Sequence, residues 1–221
     1  MKKRILLINT KAYLKVTGQG AVKLAQMCQR LLRNTRVDII LAVQPSDIAL
    51  TSEYITTFAQ HIDCIEPGKH TGHILAESVR QAGAKGTLIN HYERRLLLDD
   101  IKKGIIRARE VGLRTICCVP DVSMAKKIAS FSPDYIAYEA PELIGTGVSV
   151  STVEPRIVEN FISVVKKANH DVGVLAGAGV STGDDVARAI ELGTDGVLLA
   201  SAVPKSKNPE KTIKDLLGGF G

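Results

Sequence analysis

Eight short apolar runs, each separated from the next by a stretch with helical spacing, constrain this chain more than any other feature. The runs are Arg4–Asn9, Val37–Val43, Thr57–His61, Gly86–Asn90, Arg114–Val119, Tyr135–Glu139, Val172–Ala176 and Gly196–Ala200. Most are apolar at nearly every position. A strand with one face in water alternates apolar and polar residues, whereas a strand covered on both faces does not. The pattern therefore predicts a parallel sheet sheathed by helices. Between the runs, Val22, Leu24, Ala25, Cys28, Leu31 and Leu32 fall at helical spacing. So do Ile101, Ile105, Ile106, Ala108 and Val111, and likewise Val153, Ile157, Val158, Phe161, Ile162 and Val165.

The punctuation agrees. Thr182 before Gly183-Asp184-Asp185 reads as a helix start, with acid near the positive end of the helix dipole. Gly83, Gly112 and Gly193 stand where a glycine closes a helix, and Pro209 stands near the start of the last one. Eight βα units in 221 residues predict an α/β fold, a compact (β/α)8 barrel forming a single domain over residues 1–221. An open doubly wound sheet is the competing arrangement. Against it, no G-x-G-x-x-G follows the first strand, and no linker-like or low-complexity break divides the chain. The weakest units are the second and third, around Ser46–Leu50 and Glu66–Gly72. The loop Cys64–Thr71 is expected to project as an interaction arm.

Net charge is +6, from 29 Lys and Arg against 23 Asp and Glu. A solvated surface accounts for that excess, and a mild positive field also draws in small anionic substrates. The basic residues are scattered and aromatics are only 4%, so no stacking cluster supports nucleic-acid binding. Cys28, Cys64, Cys117 and Cys118 have no CxxC or zinc-like spacing, and Cys117-Cys118 lies in a strand pattern where reduced, packed thiols are expected. The apolar run after Met1-Lys2-Lys3-Arg4 stops at Asn9, too short for an export signal. No run approaches the roughly 18 apolar residues of a membrane span. A cytoplasmic protein with no membrane partner is the expectation.

In a barrel of this kind, the C-terminal ends of different strands converge on one mouth. The first strand ends at Asn9-Thr10-Lys11, offering a cation and an amide to orient it, although a lysine after a strand is as readily a solvated one. The fourth ends at Asn90-His91, before Tyr92-Glu93-Arg94-Arg95, which reads as a short helical turn. A histidine at a helix N-terminus is biased toward neutrality, and a neutral imidazole donates a hydrogen bond to a developing enolate oxygen. A structural histidine bonded to backbone is the competing reading. The sixth strand delivers Glu139. A surface glutamate in a salt bridge would not need the apolar and aromatic neighbours of Tyr135–Tyr138 and Ala140, so a proton-abstracting base fits better. Pro141-Glu142-Leu143-Ile144-Gly145-Thr146-Gly147 follows it, a hinged loop able to close over an anion. The seventh and eighth strands end at Ala176-Gly177-Ala178-Gly179-Val180-Ser181 and Leu199-Ala200-Ser201. Small residues there let backbone N–H groups approach an anion, and these two loops are the recurring phosphate site of such barrels.

No ligand spacing suggests a metal. His70-Thr71-Gly72-His73 lies in a polar turn, and Thr182-Gly183-Asp184-Asp185 lacks the remaining ligands of a calcium loop. Ser201 has no base paired with it in sequence, so a hydrolase triad is unsupported.

At these residues the chain resembles triosephosphate isomerase, especially the shorter archaeal form, from the first strand to the last helix. The motifs that carry the resemblance are Asn9-x-Lys11, Gly86-Thr87-Leu88-Ile89-Asn90-His91, Tyr138-Glu139 with Pro141-Glu142-Leu143-Ile144-Gly145-Thr146-Gly147, Gly177-Ala178-Gly179, and Gly196-Val197-Leu198-Leu199-Ala200-Ser201. Ala59-Gln60-His61-Ile62 and Thr71-Gly72-His73-Ile74 resemble that family's third loop. The resemblance implies a (β/α)8 TIM barrel that interconverts dihydroxyacetone phosphate and glyceraldehyde 3-phosphate without a cofactor. Glu139 would be the base, His91 the electrophile and Lys11 the cation, with Asn9 and Thr10 around it. Ile144, Gly145, Gly179, Ala200 and Ser201 would line the phosphate site, and the loop Glu139–Gly147 would close to exclude water. Self-association is implied too, a dimer from the third loop and a tetramer from the archaeal length.

Two positions depart from the family pattern. Tyr92 stands where serine usually follows the histidine and helps hold the base in its open-loop position. Whether the tyrosine hydroxyl reaches the same carboxylate is open. Ala140 stands where proline usually follows the glutamate, which frees a hinge that proline would restrain. A paralogue acting on another phosphorylated sugar, and a non-catalytic phosphate-binding barrel, are the alternatives.

Overall fold

The computed structural model describes residues 3–33, 35–140, 143 and 149–221. Eight strands run β1 (Ile5–Asn9), β2 (Asp38–Val43), β3 (Thr56–Ala59), β4 (Gly86–Ile89), β5 (Arg114–Val119), β6 (Tyr135–Tyr138), β7 (Gly173–Ala176) and β8 (Gly196–Leu199). They pair in chain order, each parallel to the next, and β8 returns to pair with β1, so the sheet is a closed (β/α)8 barrel. The α-helices among the described residues are α1 (Gln19–Leu32), α2 (Ile48–Ser52), α3 (Ala76–Gln81), α4 (Leu98–Glu110), α5 (Val122–Ala129), α6 (Val150–Val153), α7 (Pro155–Ala168), α8 (Gly183–Glu191) and α9 (Pro209–Gly218). α6 is a single turn that precedes α7.

The near-continuous apolar strands have the physical cause anticipated for them. Along β1, Ile5 and Leu7 point into the barrel and join Ile40, Phe58, Leu88, Ile116, Tyr135 and Leu175 in its interior. Leu6 and Ile8, between them, face outward and pack with Leu24, Ala25 and Cys28 of α1. Both faces are dry, so both registers of the strand must be apolar. The interior is close-packed. The Phe58 ring lies where a side chain on Gly86 would stand, and the Tyr135 ring lies where one on Gly173 would stand. Two aromatic rings thus fill the lower barrel at the expense of side chains on the neighbouring strands.

Helix ends follow the sequence signals. Thr182 and Asp185 form a reciprocal capping box at the start of α8, Thr182 Oγ1 accepting the Asp185 N–H. Gly83, Gly112 and Gly193 all have positive φ and follow the C-cap residues Ala82, Val111 and Leu192 of α3, α4 and α8. After each, the next residue donates back to the helix: Ala84 to Val79 O, Leu113 to Ala108 O and Thr194 to Ala189 O. This turn aims the chain straight into the following strand. Pro209 occupies the first turn of α9. The weak second and third units are those with short helices, α2 with five residues and α3 with six.

Period two also builds the mouth. Two residues beyond the interior side chains Leu7, Phe58, Leu88 and Ala137 come Asn9, Gln60, Asn90 and Glu139. The inward-facing row simply turns polar where the strands end.

Between β3 and α3 the chain leaves the barrel as an arm, exposed from Glu66 to His73. Its neck is tied. The Asp63 N–H donates to Ile74 O at 2.9 Å and the Ile74 N–H donates to Asp63 Oδ2 at 2.7 Å. Asp63 Oδ1 also accepts from His61 Nε2 at 3.0 Å and from Arg94 Nη2 at 3.3 Å. Burial pushes the Asp63 carboxyl up, but the Ile74 N–H, His61 and Arg94 outweigh it and hold it below its ordinary 3.8. Burial holds His61 below its ordinary 6.5, with Arg94 acting the same way against the pull of Asp63.

Both shifts have the same consequence. A carboxylate and an imidazole whose folded pKa values are depressed favour the deprotonated forms, so the neck is firm at neutral pH and loosens as pH falls. His61 protonates first, below pH 6.5, and Asp63 only below 3.8. Hydrogen exchange at the Ile74 amide, corrected for the intrinsic rate, is expected to be protected at pH 7 and to lose protection as pH falls through this window. Asp63→Ala is expected to abolish the protection at pH 7; an amide equally protected in that variant would dismiss the neck.

Candidate active site

Lys11 follows β1 with φ +49, a left-handed conformation that costs a lysine about 1–3 kcal/mol unless the surroundings impose it. Here they do. The Lys11 N–H donates to Asn9 Oδ1 at 2.9 Å. Gln60 Nε2 reaches Asn9 Oδ1 (3.1 Å), Thr10 Oγ1 (3.1 Å), Lys11 O (2.9 Å) and Ala42 O (3.2 Å). Thr10 itself is turned to the sheet, its N–H and hydroxyl both donating to Ala42 O. Gln60 is thus a hub that fixes the exit of β1. The Lys11 ammonium ends 2.7 Å from Glu93 Oε1.

After β4, Asn90 has φ +63. Its Nδ2 donates to Cys118 O at 2.9 Å and its Oδ1 accepts the Leu96 N–H at 2.9 Å. This double tie turns the chain so that His91 overhangs the mouth. The expected helical turn after His91 is a single turn, closed by Arg94 N–H to His91 O at 2.8 Å, and α4 starts only at Leu98. His91 therefore heads no helix. Its state is set locally instead: Nδ1 accepts the Glu93 N–H at 3.2 Å, which leaves the ring proton on Nε2. That Nε2 faces Glu139 Oε1 at 3.3 Å.

Glu139 extends β6 by one ladder bond, its N–H donating to Val119 O at 2.9 Å. It is 1% exposed, which excludes the solvated surface glutamate. The second carboxylate oxygen, Oε2, accepts the Tyr92 N–H at 3.1 Å. One loop, 91–93, thus stands against both oxygens of the carboxylate. Beneath lies Cys118, whose thiol is pushed well above its usual range, first by burial and then by the adjacent carboxylate.

These groups share a recess of about 70 Å³. Lys11, Tyr13, His91 and Glu139 line it together with Gly179, Val180, Ser181, Ala200, Ser201 and Lys205. The structure therefore brings together Lys11, His91, Glu139, Gly179, Ala200 and Ser201 of the residues singled out from sequence. Asn9 and Thr10 lie under Lys11 and support it from outside the recess. Ile144 and Gly145 lie outside the described residues, as does most of the loop Glu139–Gly147.

Two groups of residues escaped the sequence reading. Gln60 carried a signal, since it stands two residues beyond Phe58, as Asn9 stands beyond Leu7. Glu93, Tyr13 and Lys205 lie in irregular loops, where no period relates them to the recess.

The sequence profile of triosephosphate isomerase matches residues 4–216 of this chain. This chain belongs to the triosephosphate isomerase family. It is 46% identical over 215 residues to triosephosphate isomerase of Methanocaldococcus jannaschii, covering 96% of this chain and 98% of that protein. The Methanothermus fervidus enzyme is 44% identical over 219 residues, 98% and 99% of the two chains. That of Methanosarcina mazei is 43% identical over 214 residues, 96% of each. The short archaeal form of triosephosphate isomerase is thus matched along nearly its whole length.

The departure at Tyr92 resolves simply. Its ring is 46% exposed and lies under the Arg95 guanidinium, 5.4 Å from the centroid. What residue 92 gives Glu139 is its backbone N–H, and the hydroxyl makes no contact with the carboxylate. Any residue but proline supplies that donor. Tyr92→Ser is therefore expected to keep isomerase kcat within about threefold of the parent, a change of under about 1 kcal/mol; a larger loss in stopped assays would give the tyrosine ring a role in the site.

Proposed function

We propose that this protein interconverts dihydroxyacetone phosphate and glyceraldehyde 3-phosphate, with Glu139, His91 and Lys11 as its reacting and stabilising groups and no cofactor. The observation that carries this reading is that three side chains from three strand ends meet at one recess. A carboxylate and an imidazole stand 3.3 Å apart there, the imidazole Nδ1 accepting a backbone N–H.

In the resting arrangement Glu139 accepts the Tyr92 N–H and stands 3.3 Å from His91 Nε2. When the substrate enters, both donors have a better acceptor nearby in its oxygens, and the carboxylate is released toward carbon. Glu139 removes the proton from the carbon beside the carbonyl. The electron pair moves onto the carbonyl oxygen, and His91 Nε2–H hydrogen-bonds the enediolate as its charge develops. Glu139 then returns the proton to the neighbouring carbon, which completes the exchange of aldehyde and ketone. Lys11 balances the negative charge from the first strand's exit. Its left-handed backbone, pinned by Asn9 and Gln60, keeps it there without reorganisation in the transition state. Gly179, Ala200 and Ser201 offer backbone to the phosphate, with Ile144 and Gly145 assigned to the same subsite, and the loop Glu139–Gly147 closing over it. Phosphate binding supplies energy for that closure.

Self-association is part of the proposal, as a dimer or tetramer. An eight-residue arm with a tied neck is a preformed projection rather than a slack loop, and Leu14, 88% exposed, is an apolar contact left in water. A cytoplasmic setting fits the four free cysteines, three of them buried as thiols. Among the described residues no helix is long and apolar enough to cross a membrane.

Two measurements test this. Glu139→Gln keeps the shape of the side chain and removes the base, and is expected to lower kcat about 10²–10⁴-fold in a coupled assay with dihydroxyacetone phosphate; parental turnover in that variant would end the assignment. Replacing residues 66–73 by a short Gly-Ser link is expected to reduce the sedimenting mass to that of one chain. An unchanged mass would show that the arm is not the contact.

A further inference from the structure

Lys205 lies in the loop after β8 and Tyr13 in the loop after β1. Since β8 and β1 are paired neighbours, the barrel seam brings the two loops together, and both line the recess. The Lys205 N–H donates to Ser201 O at 3.1 Å, closing one turn from a residue that itself lines the recess. The Lys205 ammonium then lies over the Tyr13 ring, 5.3 Å from its centroid.

We propose that Lys205, stacked on Tyr13, is the phosphate-recognising cation of this recess and sets its preference for phosphorylated over unphosphorylated trioses. This rests on the reading that the recess takes a triose phosphate.

The charge balance of the site gives the reason. Lys11 is already paired, with Glu93 Oε1 at 2.7 Å. The other carboxylate at the recess, Glu139, faces His91. Lys205 has no carboxylate partner among the described residues. A dianion entering the recess therefore meets one cation already paired with a carboxylate and one that has no such pair among the described residues. An aromatic face suits that purpose. It restrains a flexible ammonium through its quadrupole and carries no net charge to cancel it, whereas a carboxylate would restrain it and neutralise it together. The arrangement separates two tasks. Lys11 serves the reacting oxygens beside His91 and Glu139, and Lys205 serves the phosphate beside Gly179, Ser181 and Ser201.

The test uses Lys205→Met, which keeps the length of the stem and removes the charge, with Lys205→Arg and Tyr13→Leu beside it. Calorimetry with inorganic phosphate is expected to show about tenfold weaker binding to Lys205→Met, the scale of one charge-assisted contact. Tyr13→Leu is expected to lose about threefold, and Lys205→Arg to restore most of the affinity, as a retained cation should. In kinetics, the ratio of kcat/KM for glyceraldehyde 3-phosphate to that for glyceraldehyde is expected to fall about tenfold in Lys205→Met, because only one of the two carries the charge that Lys205 meets. Parental phosphate affinity in Lys205→Met would overturn the proposal, and so would an equal loss with both trioses. A parental chain that binds phosphate through Lys205 yet turns over neither triose would overturn the isomerase reading and the triose preference with it, and uphold Lys205 only as the phosphate's cation.

Discussion

The seam between β8 and β1 is the constraint on which the rest of the structure depends. Ile5 pairs with Gly196 and Ile8 with Leu199, and a side chain on Gly196 would strike the Ile5 backbone. A parallel sheet that failed to close there would leave two edges of unpaired backbone and an open interior. Closed, it turns a linear order of strands into a ring, and a ring has one mouth. Residues as far apart in sequence as Lys11 and Lys205 become neighbours only because the first and last strands are bonded to each other.

Within that ring the costly object is Glu139. A carboxylate 1% exposed forgoes the hydration that stabilises it, and burial without partners would be prohibitive. The loop after β4 meets the cost with the Tyr92 N–H on one oxygen and His91 on the other. The same loop gives its Glu93 N–H to His91 and its Glu93 carboxylate to Lys11. Three residues in succession thereby set the imidazole tautomer, the carboxylate position and the charge available at Lys11. The contact at position 92 is made by the backbone N–H, which is why a bulky Tyr92 is accommodated without loss of the arrangement.

Much of this was legible before any coordinate was known. The apolar runs marked all eight strands to within one or two residues, because strands buried on both faces have no reason to carry polar side chains. Glycines at 83, 112 and 193 marked helix ends, because few other residues adopt the left-handed turn. Gln60 was legible in principle from the period-two row it shares with Phe58. His91 was legible as a strand-end residue followed by a short helical turn, and the backbone makes that single turn because Asn90 ties the loop to Leu96 and to β5 before α4 begins.

The sequence by itself determined the local rules: where strands run, which face of each is dry, where helices stop, and that the inward row turns polar at Asn9, Asn90 and Glu139. Those rules depend on periodicity over a few residues, which a linear chain carries intact. The tertiary structure alone decided the pairings: Lys11 with Glu93, His91 with Glu139, Lys205 with Tyr13, and which cation was left free for an anion. Such pairings depend on distances across a closed ring between irregular loops, and no spacing along the chain records how those loops turn toward one another.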